Sequence, residues 1–168
     1  TAKRYSVTFK SNGGTYSSTP ATAWALYDSK NYYTTETGST AYTFVAPTRA
    51  GYTFKGYADS STATTANYIT YSGSAFTVAK NWDKAVTTTL YAVWSGNSYS
   101  ITVENNNGSG GTVSPTSYKT KAETQNFTLT KQTRTGYSFT GWFITGNTGT
   151  AAVSSDNKTL TIAANTYG

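Results

Sequence analysis

The sequence contains one pattern twice, which restricts the chain to folds built from two copies of a small unit. Tyr5-Ser-Val-Thr-Phe9 returns as Tyr99-Ser-Ile-Thr-Val103, an offset of 94 positions. Thr48-Arg-Ala-Gly-Tyr-Thr-Phe-Lys-Gly-Tyr57 returns as Thr133-Arg-Thr-Gly-Tyr-Ser-Phe-Thr-Gly-Trp142, an offset of 85. Because the matched segments keep their order, the sequence predicts two tandem repeat modules.

Two shorter matches complete the comparison: Asn12-Gly-Gly-Thr15 with Ser109-Gly-Gly-Thr112, and Phe76-Thr-Val-Ala79 with Leu160-Thr-Ile-Ala163. We expect a first module with longer loops over 1–94, a linker over 95–98, and a second module over 99–168. The first module ends in an apolar strand, 88–94, whose counterpart falls beyond Gly168. The second module is therefore expected to lack its closing strand, through truncation of a longer array or because another chain supplies it.

Apolar and polar residues alternate with a period of two, which is typical of half-buried strands. Tyr5, Val7 and Phe9 share one face of such a strand, and 36 threonines supply β-branched polar residues for wet faces. The pattern predicts a mainly β protein. Only Pro20–Lys30 is compatible with a short helix, with Thr19 as its N-cap and proline at its first position.

Composition argues against several functional classes. The chain has no His, Cys or Met, and its net charge of +6 is dispersed without a basic stripe, so we expect no nucleic-acid partner. The longest apolar run, Leu90–Trp94, is far short of the ~20 residues that span a bilayer, so we expect no membrane insertion. None of the seven acidic residues recurs between the copies. We expect no catalytic, metal or cofactor site, hence no enzyme.

The segments 5–14, 47–57 and 89–94 resemble the InlB B-repeat (Listeria–Bacteroides repeat) family of bacterial surface proteins. The resemblance covers nearly all of 5–94 and, more weakly, 99–168. Tyr57 stands where the family usually has the tryptophan that Trp142 keeps, and Gln132 stands where Pro47 stands in the first copy. The resemblance implies a β-grasp, ubiquitin-like fold (α+β at most), an extracellular, cell-surface or cell-wall location, and no catalysis.

The repeated Gly-Tyr-x-Phe-x-Gly-aromatic motif is interpreted as a structural element of each core. Two rings of each copy share a strand face, and the second glycine is expected to leave room for an aromatic ring from an adjacent strand. The motif residues are Gly51, Tyr52, Phe54, Gly56, Tyr57, Gly136, Tyr137, Phe139, Gly141 and Trp142.

Six aromatic residues of the first copy lie outside the repeated motif and form a candidate ligand or partner surface. Rings with polar neighbours are typical of carbohydrate and protein contact surfaces. The alternative is that they only cover the longer loops. They are Trp24, Tyr27, Tyr32, Tyr33, Tyr68 and Tyr71.

These observations favour a structural spacer or stalk in an extracellular, adhesin-type bacterial surface protein, with neighbouring repeat modules of the same parent protein as partners. One alternative is a module that binds glycan or a host surface protein through the loop aromatics. The other is a subunit of a surface filament assembled by strand addition into the second copy.

Overall fold

Strands build both parts of the molecule. The computed structural model describes residues 2–168, and no helix occurs among them. The chain divides into two compact units, unit 1 through Ser95 and unit 2 over Gly96–Gly168. The mainly β fold predicted from the sequence is confirmed.

Unit 1 contains one seven-stranded sheet. Across the sheet the order is β3-β2-β1-β7-β4-β5-β6, so β7, the last strand of unit 1 along the chain, is the central strand of the sheet. The strands are β1 Arg4–Lys10, β2 Ala23–Leu26, β3 Tyr32–Tyr33, β4 Tyr52–Ala58, β5 Ile69–Tyr71, β6 Phe76–Val78 and β7 Thr88–Gly96.

The first and last strands of unit 1 run parallel to each other. Phe9 of β1 lies opposite Leu90 of β7, and Val7 lies opposite Thr88. Val7 and Leu90 are fully buried, which agrees with the alternation of the sequence. The pairs β1–β2, β4–β5 and β5–β6 are antiparallel.

The helix predicted over Pro20–Lys30 is not formed, and this prediction is wrong. Residues Ala23–Leu26 form β2, which pairs with β1. Ala23 and Ala25 are fully buried while Trp24 is only half-buried, so burial alternates with the period of a strand. Backbone pairing and burial on the sheet outweigh the local capping signal, since helix propensity is only a weak prior.

The core of unit 1 is largely aromatic. The Trp82 ring lies 5.3 Å from the ring of Tyr68 and 6.0 Å from that of Tyr32, measured between centroids. Phe9 and Phe54 meet the Tyr57 ring at 4.9 and 5.1 Å. Such edge and offset contacts add to the free energy of burying the rings.

Unit 2 contains two smaller sheets. One pairs β10 with β8, and the other has the order β12-β13-β11-β9. Residues 101–105 and 138–145 belong to no strand. The strands are β8 Ser98–Ser100, β9 Thr112–Ser114, β10 Ser117–Lys119, β11 Gln125–Thr130, β12 Ala151–Val153 and β13 Thr159–Ile162. In the segment predicted as a linker, only Asn97 lies between β7 and β8.

The first strand of each unit leads into the same type of turn. Asn12 and Gly13 adopt φ angles of 49° and 91°, and Asn106 and Asn107 adopt 42° and 66°. Asparagine is among the few residues that tolerate this left-handed region. The offset of 94 therefore continues through the turn, and the predicted match of Asn12–Thr15 with Ser109–Thr112 is wrong by three positions.

A second shared feature follows the turn. Two backbone hydrogen bonds, of 2.8 and 2.9 Å, join Thr15 to Thr48. Two bonds of the same lengths join Ser109 to Thr133. The match of 48–57 with 133–142 thus begins at equivalent places in both units.

Candidate functional site

The repeated aromatic motif of unit 1 begins with a turn and continues as β4. Gly51 has a φ of 77°, which suits glycine. The Tyr52 N–H donates to the Arg49 carbonyl over 3.1 Å, and the Arg49 guanidinium lies 3.8 Å from the centre of the Tyr52 ring. Phe54 and Tyr57 are buried, so the motif builds the core in this unit.

Tyr57 fixes the loop that precedes β4. Its hydroxyl donates to the carbonyl of Val45 over 2.5 Å and accepts from the hydroxyl of Tyr16 over 3.0 Å. Burial raises the pKa of Tyr57. The phenol therefore stays protonated, and its two hydrogen bonds tie β4 to the preceding loop and to Tyr16.

The motif glycine Gly56 makes room for backbone, not for an aromatic ring as predicted. A Cβ at this position would meet the carbonyl oxygen of Ile69, and Thr70 Cα at 2.8 Å. The glycines that lie beneath aromatic rings are Gly14, under Trp94, and Gly111, under Trp142. At Gly141 a Cβ would meet only Asn157 Oδ1, at 3.4 Å.

The same motif in unit 2 begins identically and then differs. Gly136 has a φ of 78°, the Tyr137 N–H donates to the Arg134 carbonyl over 3.1 Å, and the Arg134 guanidinium lies 3.9 Å from the Tyr137 ring centre. Tyr137 is nevertheless 66% exposed. Trp142 packs on Phe139 and on the core of the unit. The residues after Tyr137 form no strand, so the motif aromatics do not all reach a core.

Two of the six predicted surface aromatics are core residues. Tyr32 is 5% exposed and packs on Phe44 and Trp82. Tyr68 is fully buried, and its hydroxyl donates to Asp83 Oδ1 over 2.5 Å. Burial is the main cause that raises the pKa of Tyr68. Since both rings face inward, neither contributes to an exposed platform.

The structure brings together two others of the six, Trp24 and Tyr33. They lie directly opposite each other on β2 and β3, so their side chains project from the same face of the sheet. The Arg4 guanidinium lies 4.1 Å from the centre of the Tyr33 ring. We call these three residues the β3-edge cluster; the analysis of the sequence missed Arg4, because only the strand pairing places it here.

Tyr27 and Tyr71 do not join this cluster. Tyr27 is 44% exposed and packs edge-on against Tyr5. Tyr71 packs on Phe54 and Phe76.

Unit 2 carries a groove of about 710 Å³. Ile101 and Val103 line it from the segment after β8, and Trp142 and Ile144 line it from the second motif. Leu160 of β13 also lines the groove. All of these side chains belong to the hydrophobic core cluster of the unit, so the groove opens onto that core.

Residues 2–168 show neither a metal-binding cluster nor a helix that could span a membrane. Residues 2–168 contain no cluster of three or more acidic, histidine or cysteine side chains placed to hold a metal ion. Within the same range no helix is long and apolar enough to cross a membrane.

The fold and these sites define an all-β protein with two successive repeat units whose shared residues lie mainly in turns and cores. Residues 5–93 match a family model described as the Listeria-Bacteroides repeat domain, and residues 101–167 match one described as the divergent InlB B-repeat domain. The chain belongs to the Listeria-Bacteroides repeat family. No curated protein and no solved structure matched the chain. Repeats of this type occur in bacterial surface and extracellular proteins.

Proposed function

We propose that the chain is a non-catalytic structural spacer of an extracellular, adhesin-type bacterial surface protein. In this proposal its two units form part of a linear array with neighbouring repeat units of the same parent protein. Two consecutive family matches support an array of repeats. The observation that carries the proposal is the parallel pairing of β1 with β7 in unit 1.

This pairing suits a unit that transmits tension along the chain. Force enters unit 1 before Arg4, at the amino end of β1, and leaves after Gly96, at the carboxyl end of β7. Because the two strands are parallel, these forces act in opposite directions along neighbouring strands. The backbone hydrogen bonds between the strands are then loaded together in shear instead of one after another.

Single-molecule pulling tests this role through its dependence on direction. The chain has no cysteine, so introduced thiols are unique attachment points. Lys3→Cys with Ser95→Cys loads β1 and β7 in shear. Lys10→Cys with Ser95→Cys is the matched control, because it pulls both strands from their carboxyl ends and separates the bonds in sequence. We expect a several-fold higher unfolding force for the first pair; equal forces would contradict the proposal.

The β3-edge cluster supports a second candidate function, binding of a glycan or a host surface protein. Trp24 and Tyr33 present two neighbouring rings beside the charge of Arg4, a combination of apolar faces and polar groups that suits such ligands. A glycan array and a host-protein pull-down test it. A reproducible signal should be lost in Trp24→Ala and Tyr33→Ala and kept in Tyr137→Ala, which removes a comparable ring stacked on arginine in unit 2. No signal, or a signal unchanged in all variants, contradicts it.

A further inference from the structure

The central strand of unit 1 is held by three types of contact. Leu90 and Ala92 of β7 are fully buried. Asn12 Nδ2 donates to the carbonyl of Ala92 over 3.0 Å. Trp94 Nε1 donates to the carbonyls of Ser11 and Asn12 over 3.0 and 3.1 Å. The strand thus closes the core and is anchored by the turn after β1.

The groove of unit 2 lies where the equivalent strand would lie. The offset of 94 places Ile101 and Val103 on the positions of Val7 and Phe9 in β1, and the offset of 85 places 137–143 on β4. In unit 1 these two strands flank β7. In unit 2, residues 100–104 of the first segment and 141–143 of the second line the groove, and no strand of the unit lies between them.

The groups that anchor β7 also have counterparts at the groove. Asn106 is equivalent to Asn12, has nearly the same φ, and lines the groove. The Gln132 side chain lies over Gly108, and its Oε1 would be 2.5 Å from a Cβ at that position. Over the equivalent Gly14 of unit 1 lies the ring of Trp94. The position of the anchoring indole is thus taken by a flexible side chain.

Two polar atoms of the groove wall have no hydrogen-bond partner within residues 2–168. They are Gln132 Oε1 and Trp142 Nε1, both buried. Leaving a buried polar group unpaired costs about 1–3 kcal/mol. An incoming polypeptide supplies N–H and C=O groups of the type that both atoms need.

The charge of the groove restricts its occupant. Of the residues that line it within 96–168, only Glu104 is charged. β7 has the sequence Thr-Thr-Leu-Tyr-Ala-Val-Trp-Ser-Gly and no charge at all. An uncharged strand avoids the cost of placing an unpaired charge against an apolar wall.

We propose that the groove of unit 2 binds an extended strand of the β7 type, aligned parallel to residues 99–104 and supplied by another repeat segment of the same family. Its recognised features are the absence of charge, apolar residues at the positions of Leu90 and Ala92, and a tryptophan at the position of Trp94. The tryptophan displaces Gln132 from above Gly108, and the Asn106 amide donates to the strand as Asn12 does to Ala92. The inference is independent of the load-bearing role of unit 1.

A synthetic peptide of residues 88–96 tests the proposal on the full 168-residue chain. Binding is measured by anisotropy of the labelled peptide, and its place by amide hydrogen exchange. We expect new protection at 101–105 and 138–144, because these segments gain a strand between them.

Two matched peptides test the face that binds. A peptide with Leu90→Asp places charge on the face that packs on the core and should bind more than tenfold more weakly. A peptide with Tyr91→Asp carries the same charge on the opposite face and should bind like the original. Loss of the indole, with Trp94→Ala, should also weaken binding.

Three outcomes overturn the proposal. The first is no protection of 101–105 and 138–144 at saturating peptide. The second is equal binding of the two aspartate peptides. The third is a dimer seen by light scattering that protects these segments and is not displaced by the 88–96 peptide, which would assign the groove to a segment of a second copy other than β7.

Discussion

Replacing Gly56 by alanine should destabilise unit 1 far more than a typical exposed substitution. Its φ of 124° is rarely adopted by residues with a side chain, which costs about 1–3 kcal/mol. The new Cβ would also meet Thr70 Cα at 2.8 Å and Ala66 Cβ at 2.9 Å. Neither neighbour is the end of a flexible chain, so overpacking adds about 1–3 kcal/mol. We expect a total loss of about 2–6 kcal/mol.

Gly73→Ala is the matched control for this substitution. Gly73 has a φ of 99° and nothing within 4 Å of an added Cβ, so it should lose only the backbone contribution. Urea unfolding followed by tryptophan fluorescence measures both, and a Trp142→Phe background leaves only the three tryptophans of unit 1. If both alanine variants lose the same free energy of unfolding, the reasoning is refuted, because the close approach of β5 to Gly56 would then add nothing to the backbone cost.

Three further predictions concern the cores. Leu90→Ala should lower the free energy of unfolding of unit 1 by about 2–5 kcal/mol in urea titrations, because it empties the centre of the sheet; a loss below about 1 kcal/mol would contradict this. Burial raises the pKa of Tyr57 above its usual 10.0, so above about pH 10 the unfolded chain releases protons first and stability falls, by up to about 1.4 kcal/mol per pH unit for this group. Tyr57→Phe should make that fall shallower between pH 9 and 11.5, and an unchanged slope would refute it. Gly111→Ala places a Cβ 2.8 Å from the Trp142 ring, so the fluorescence of that indole should change, whereas an unaltered emission spectrum would show that the ring lies elsewhere.

The turn shared by the two units shows where comparison by residue type reached its limit. Gly-Gly-Thr occurs in both copies, yet the structural equivalent of Gly13 is Asn107. The offset of 94 already visible from Tyr5 to Tyr99 would have located Asn106 opposite Asn12. This constant offset is the feature of the sequence that identifies Asn106 as the residue whose side-chain amide corresponds to that of Asn12.

The predicted aromatic surface shows a different limit. Tyr32 and Tyr33 are adjacent in sequence and identical in type, but one is 5% exposed and the other stacks with Arg4 on the outer face. Which of them is buried depends on the register of β3 against β2. Register is a property of paired strands and cannot be read from one of them.

The sequence alone determined that this protein is mainly β and contains two related units, because a period of two and a kept order of motifs are properties of the chain itself. The tertiary structure alone decided which strand is central and which rings face inward. It also decided that residues 141–143 line a groove, whereas the equivalent residues of unit 1 lie in β4. The physical reason is that a strand is stabilised by its neighbours. The same motif therefore forms β4 beside β7 in unit 1 and no strand in unit 2, where no strand lies next to it.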